Sequence, residues 1–217
     1  MDWSPLVISI KTSLVGTGLA CVSGVMAARL VARLGGRSRA VLDGAFTLPM
    51  VLPPTVVGFI LLSVFGRAGP VGAALEAIGV RLVFSWGATV MAASTVAFPL
   101  VYRTTLASFD HLDPTVIASA RTLGLSERRI FLSLMLPLSS PGIVAGTVLA
   151  FARALGEFGA TLMVAGNIPG KTQTIPIAIY FASESGSMAR ASLWVAVLSG
   201  ISFLAVLAIN TSGRSGR

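Results

Sequence analysis

Charge is scarce in this chain. Asp, Glu, Lys and Arg together make up 11% of its 217 residues, against roughly 25% in ordinary soluble domains. Cys21 is the only cysteine and His111 the only histidine. One cysteine excludes an intrachain disulfide and a cysteine-based metal cluster, and one histidine excludes a His-rich metal site. It also argues against a Ser-His-Asp triad. No metal ligand set is expected, and no grouping of Ser, Cys, Lys or carboxylates has the look of a catalytic site. What is abundant is apolar: 54% of the residues are hydrophobic and mean hydropathy is +0.87. The net charge of +8 comes from basic residues set in short loops between apolar runs. That placement sets membrane topology rather than a nucleic-acid footprint.

Five stretches are long and apolar enough to cross roughly 30 Å of hydrocarbon at about 1.5 Å per residue. They cover residues 6–28, 45–65, 84–102, 138–157 and 192–209. None alternates with period two, so closed-barrel strands are excluded and helices remain. The expectation is a single all-α membrane domain over 1–217. The segment Met1–Pro5 has no positive charge ahead of the apolar run, so the first helix reads as retained rather than cleaved. Arg29, Arg33, Arg37, Arg39, Arg103, Arg121, Arg128, Arg129, Arg214 and Arg217 fall on one side of the resulting topology. The positive-inside rule makes that side cytoplasmic, with the N-terminus outside and the C-terminus inside. Outside lie a Gly/Pro-rich loop with a short helix near 71–78, and a longer loop over 158–190. In the latter, 175–182 is apolar yet too short to span.

Between the third and fourth spans lies a polar hairpin, 113–137. Asp113 suits a helix N-cap, Pro114 the first helical position and Gly124 the left-handed residue after the last turn. Val116, Ile117, Ala120 and Leu123 make one apolar stripe. Ser126 caps a second helix, with Glu127 well placed against its dipole. On the residues alone, a plain connecting loop stays open as an alternative.

The hairpin resembles the EAA loop of binding-protein-dependent ABC transporter permeases: Glu-Ala-Ala, three residues, Gly, nine residues, then Ile-x-Leu-Pro. Ala118, Ser119 and Ala120 hold the leading positions, Gly124 is the glycine, and Leu134-Met135-Leu136-Pro137 is the ending. The spacing matches, but Ala118 stands where the family has glutamate and Leu134 where it has isoleucine. Three further stretches resemble the molybdate branch: Leu48 to Phe59, Ala152 to Thr161 and Gly166 to Pro176. The resemblance implies a MetI-like permease fold and a homodimer with an anion path at its interface. It further implies a cytoplasmic ABC ATPase dimer docked on the hairpins, and a periplasmic or lipid-anchored binding protein delivering molybdate. ATP and Mg would be used by the ATPase, and no cofactor by this chain. Tungstate or sulfate in the same machine is the alternative. A secondary transporter lacks support, because paired inverted repeats of broken helices are not seen.

The same segments supply candidate path or gate residues. Pro49, Pro53 and Pro54 remove backbone donors inside a membrane helix, which must kink; a pathway-lining hinge and a mere packing kink are both open. Arg153 and Glu157, four apart, can share a helix face and pair. A lipid-facing charge costs about 2.5–3.5 kcal/mol at mid-bilayer, so they should face protein. Gly156, Gly159 and Thr161 (beside Ala160) are small enough for close helix approach. Gly170-Lys171-Thr172 ends like a phosphate loop, but Ala165 stands where that motif needs glycine. A turn in an external loop is expected there instead.

Overall fold

The computed structural model of the chain describes residues 2–212, with side chains to 207. The described residues form helices and no strand. In chain order these are α1 (Ser4–Ala32), α2 (Gly36–Val51), α3 (Pro54–Phe65), α4 (Pro70–Ala77), α5 (Trp86–Asp110) and α6 (Pro114–Thr122). Then follow α7 (Glu127–Leu138), α8 (Ser140–Leu155), α9 (Gly159–Ala165), α10 (Ile175–Glu184) and α11 (Met188–Ser212). Within α7, Phe131–Met135 is a single π-helical turn.

Three helices, α1, α5 and the described part of α11, are long and apolar enough to cross a bilayer unaided. The other two expected spans are corrected. The stretch 45–65 is not one helix: α2 and α3 meet at 111° across Leu52, which is extended, and Pro53, whose backbone is also non-helical. Neither Pro53 nor Pro54 has an amide hydrogen, so the carbonyls four residues earlier, on Pro49 and Met50, lose their helical donors. The stretch 138–157 is likewise shorter, since α8 ends at Leu155 and is entered from α7 through a 71° bend at Ser139. The third span, expected at 84–102, continues to Asp110, so Arg103 lies in the helix rather than in a loop. The first and fifth are longer than expected at both ends.

The centre of the bundle is α1, α5 and α8. Small residues let their backbones approach, which in a membrane supplies much of the packing attraction. Gly16, Ala20, Gly24 and Ala28 recur every fourth residue along α1 and bury against Ala93, Ala97 and Val101 of α5. A Cβ on Gly24 would come within 3.0 Å of the Tyr102 amide nitrogen. On α8, Gly142 and Gly146 meet Ser108 and Thr104 in the same manner. At the end away from the hairpin, α10 and α11 close together through Ile175, Ala178 and Trp194, with Trp3 edge-on to Trp194 at 5.7 Å. Only 11% of the apolar window of α11 is buried. Its outer face therefore requires an apolar surrounding, as a membrane provides.

Candidate functional site

Two places carry the candidate residues: the hairpin at one end of the bundle, and the broken-helix region in its other half.

In the hairpin, the Asp113 carboxylate accepts from the Thr115 amide at 2.8 Å and from the Thr115 hydroxyl at 2.8 Å. The backbone bond, with the hydroxyl, holds the Asp113 carboxyl below its ordinary range. Pro114 opens α6, and Gly124 sits at φ +76°, where a side chain would be strained. The Leu125 amide reaches back to the Ala120 carbonyl at 3.1 Å, closing the turn. The Ser126 hydroxyl accepts from the Arg129 amide at 3.4 Å. Ala118, Ser119 and Ala120 thus lie on α6, and Leu136 and Pro137 end α7 just before the bend. Thr115, Val116, Ser119, Ala120, Leu123, Leu125 and Leu134 line a shallow apolar hollow, and Leu123 is 80% exposed beside it.

The sequence reading missed how the hairpin is fastened. Glu127 takes Arg121 Nε at 2.7 Å across the turn and Arg33, just past the end of α1, at 3.4 Å. These contacts, that of Arg121 foremost, lower its carboxyl from the ordinary value of 4.5. The guanidinium of Arg29 lies 4.0 Å from the Phe131 ring centroid.

In the other half of the bundle, α3 and α9 lie in contact. A Cβ at Gly58 would stand 2.8 Å from the Ala160 Cα and 2.8 Å from the Met163 Cβ, so only glycine fits there. Gly159 meets Pro54 and Thr55 in turn. Leu52, at the break, packs on the cluster of Val57, Ala88, Ala92, Val96, Ala160, Val164 and Ala165.

Glu157 is displaced from the expected position: it is past the end of α8, in the connector to α9. The pair with Arg153 nonetheless forms, Nη1 to Oε2 at 2.7 Å. The other oxygen of Glu157 accepts from the Ala160 amide at 2.8 Å. One buried carboxylate thus ties α8 to the first turn of α9, where the helix dipole favours negative charge. Glu157 is 1% exposed at its side chain, whereas Arg153 is 34% exposed, leaving guanidinium hydrogens facing open space. The structure therefore gathers Pro53, Pro54, Arg153, Glu157, Gly159 and the buried Thr161 around one junction. Gly156 ends α8 beside it, and Pro49 lies on the far limb of the break.

Other polar links had no counterpart in the sequence reading. Asp43 on α2 accepts from the Tyr102 hydroxyl at 2.8 Å and pairs with Arg103 at 2.9 Å. At the opposite end of α1, Ser9 accepts from the Ile175 amide at 2.7 Å, and Thr12, Thr89 and Trp86 share hydrogen bonds. The Gly170-Lys171-Thr172 segment is a compact turn. The amides of Lys171, Thr172 and Gln173 all point to the Ile168 carbonyl and are not available to a phosphate.

Comparison with known proteins places this geometry. Residues 20–212 match the family described as binding-protein-dependent transport system inner membrane component. The molybdenum transport system permease protein ModB of Escherichia coli (strain K12) is 43% identical over 180 residues, 82% of this chain and 79% of the relative. That of Haemophilus influenzae is 40% identical over 209 residues, covering 94% and 91%. Among solved structures, a bacterial ABC transporter that imports alginate aligns over 100% of this chain and 81% of its own, with TM-score 0.75 and 18% identity. The MetNI methionine ABC transporter in an inward-facing form aligns over 97% and 94%, with TM-score 0.73 and 13% identity.

Proposed function

The chain belongs to the binding-protein-dependent transport system inner membrane component family, and from that premise we propose that it is the permease of an ATP-driven importer of molybdate. It is a multi-pass membrane transport component and not an enzyme, and it has the fold of MetI-like ABC permeases. The observation that carries the reading is the capped hairpin, rigid at its turn and apolar on its exposed face. A surface of this kind receives force from a partner; nothing in a passive channel calls for it.

In this reading the hairpin faces the cytoplasm and an ABC ATPase seats on Leu123 and its apolar neighbours. The N-terminus is outside and the C-terminus inside, in keeping with the arginine bias. ATP and Mg belong to the ATPase. A second copy of the chain completes the anion path, in keeping with α11, of whose apolar window only 11% is buried. The broken α2–α3 segment is held by α9, and irregular backbone inside a membrane is tolerated only against protein or a watery path. The part-exposed guanidinium of Arg153 lies toward the outer end, held by Glu157. There it braces a gate and offers positive charge to an oxyanion released by a binding protein. With Ala118 in place of the family glutamate, docking rests on shape and apolar contact rather than on that carboxylate.

The test of cargo is uptake of labelled molybdate by the reconstituted transporter with excess unlabelled oxyanion outside. Tungstate should block it and sulfate should not. A block by sulfate would assign a different cargo to the same machine.

A further inference from the structure

Helix α1 is fastened at both ends. At the hairpin end, Glu127 is held simultaneously by Arg121 of the hairpin and Arg33, the residue that caps the C-terminus of α1, and its backbone carbonyl takes Arg29 of α1 at 3.5 Å. Arg29 also covers the face of Phe131, which is buried between α1 and α5 beside Val31 and Phe109. At the other end, Ser9 is buried and caps the first turn of α10. Between these points α1, an unbroken helix of 29 residues, spans about 30–36 Å at 1.5 Å per residue. Its small-residue seam packs closely on α5 at Gly16 and Gly24.

We propose that Glu127 is a positioning residue for coupled transport: it locks the hairpin to α1, so that movement of the hairpin moves α1 as a rod and reaches α10 on the opposite side. The inference rests on the reading of the hairpin as the ATPase dock. Each exposed ion pair alone contributes little. Here, however, one carboxylate joins two arginines from two elements, and a third arginine holds its backbone and the next turn. Losing the carboxylate frees Arg33 and Arg121 together while the core contacts of Phe131 remain. The consequence is slippage: ATP is hydrolysed, yet the movement does not reach the far side.

The experiment uses the whole transporter in proteoliposomes and reads labelled molybdate accumulated per ATP hydrolysed. Glu127→Gln should lower that ratio by up to about tenfold, the scale of two exposed ion pairs lost together. Hydrolysis and co-purification of the ATPase should be retained. Arg33→Gln should do the same, which keeps the test open if one variant assembles poorly. Arg33→Cys with Glu127→Cys, in a Cys21→Ser background, should recover the ratio once bridged by a bis-maleimide. A purely structural loss would not recover in this way. An unchanged ratio in both Gln variants overturns the proposal. Leu123→Asp separates it from the dock reading. If that variant releases the ATPase while Glu127→Gln is silent, the dock stands and the lock is wrong. If Leu123→Asp leaves ATPase binding and uptake intact, the dock itself is wrong and the lock falls with it.

Discussion

Replacing Glu157 probes the junction of α8 and α9 where burial is deepest. Its carboxylate, 1% exposed, accepts one hydrogen bond from a cation and one from a helix-terminal amide. A hydrogen bond to a charged group contributes about 1.5–3 kcal/mol and a neutral one about 0.5–1.5 kcal/mol. Glu157→Gln keeps the shape but only one acceptor, so one of the two bonds is lost and an amide NH2 faces a donor in its place, a loss of roughly 2–3 kcal/mol. Arg153 is 34% exposed, and water takes over part of its partner's role, which brings the estimate to about 2 kcal/mol. For a chain of this size that corresponds to a fall in Tm of about 4–8 °C. Glu157→Ala also leaves the Ala160 amide without its acceptor and should cost about 3–4 kcal/mol. Thermal unfolding of the purified permease in detergent measures both, alongside uptake in proteoliposomes. A Gln variant that melts within about 1 °C of the parent and transports normally would refute the view that this carboxylate holds the junction.

Other perturbations act on separate parts. Gly58→Leu forces a side chain into space occupied by Ala160 and Met163; it should destabilise by about 1–3 kcal/mol and abolish uptake, as thermal unfolding and transport will report. Pro53→Ala with Pro54→Ala restores two amide donors and favours a straighter α2–α3. Uptake should fall while ATPase binding, read by co-purification, is kept. Arg153→Ala should lower uptake more than it lowers docking of the binding protein, and unchanged uptake at normal expression would remove Arg153 from the gate. The pH response follows from Glu127 and Asp113, whose carboxyls lie below their ordinary values of 4.5 and 3.8. A depressed folded-state pKa gives stability that is fully present above the ordinary value and lost as pH falls through the lowered one. Hairpin amide protection in hydrogen exchange should therefore be level from neutrality down to about pH 4.5 and decline only below it. A decline beginning near pH 6 contradicts the assignment.

The hairpin was legible because its signals are local: a capping Asp before Pro, a Gly after the last turn, a Ser before Glu. Each acts within a few residues, and each makes its expected contact. The bend between α2 and α3 was half legible. Pro53 and Pro54 announce a break but not its 111° angle, nor the packing of α9 against Gly58 beyond it, from residues over a hundred positions away in sequence. Glu157 was identified with its partner yet misplaced, since helix ends are marked weakly and Gly156 is the only punctuation there. Asp43 and Ser9 escaped notice because an isolated polar residue in an apolar run says nothing of its partner. Tyr102 and Ile175 come to them only through tertiary packing. The fourfold spacing of Gly16, Ala20, Gly24 and Ala28 was present in the sequence and is the signal that would have paired α1 with α5.

The account depends most on energy entering through the hairpin. The direct measurement is accumulation of labelled molybdate in proteoliposomes that hold this chain with its ATPase and binding protein, with ATP supplied only on the hairpin side. Accumulation that requires ATP on that side, and stops when Leu123→Asp detaches the ATPase, is the result the account predicts. Equal uptake with and without ATP would contradict it.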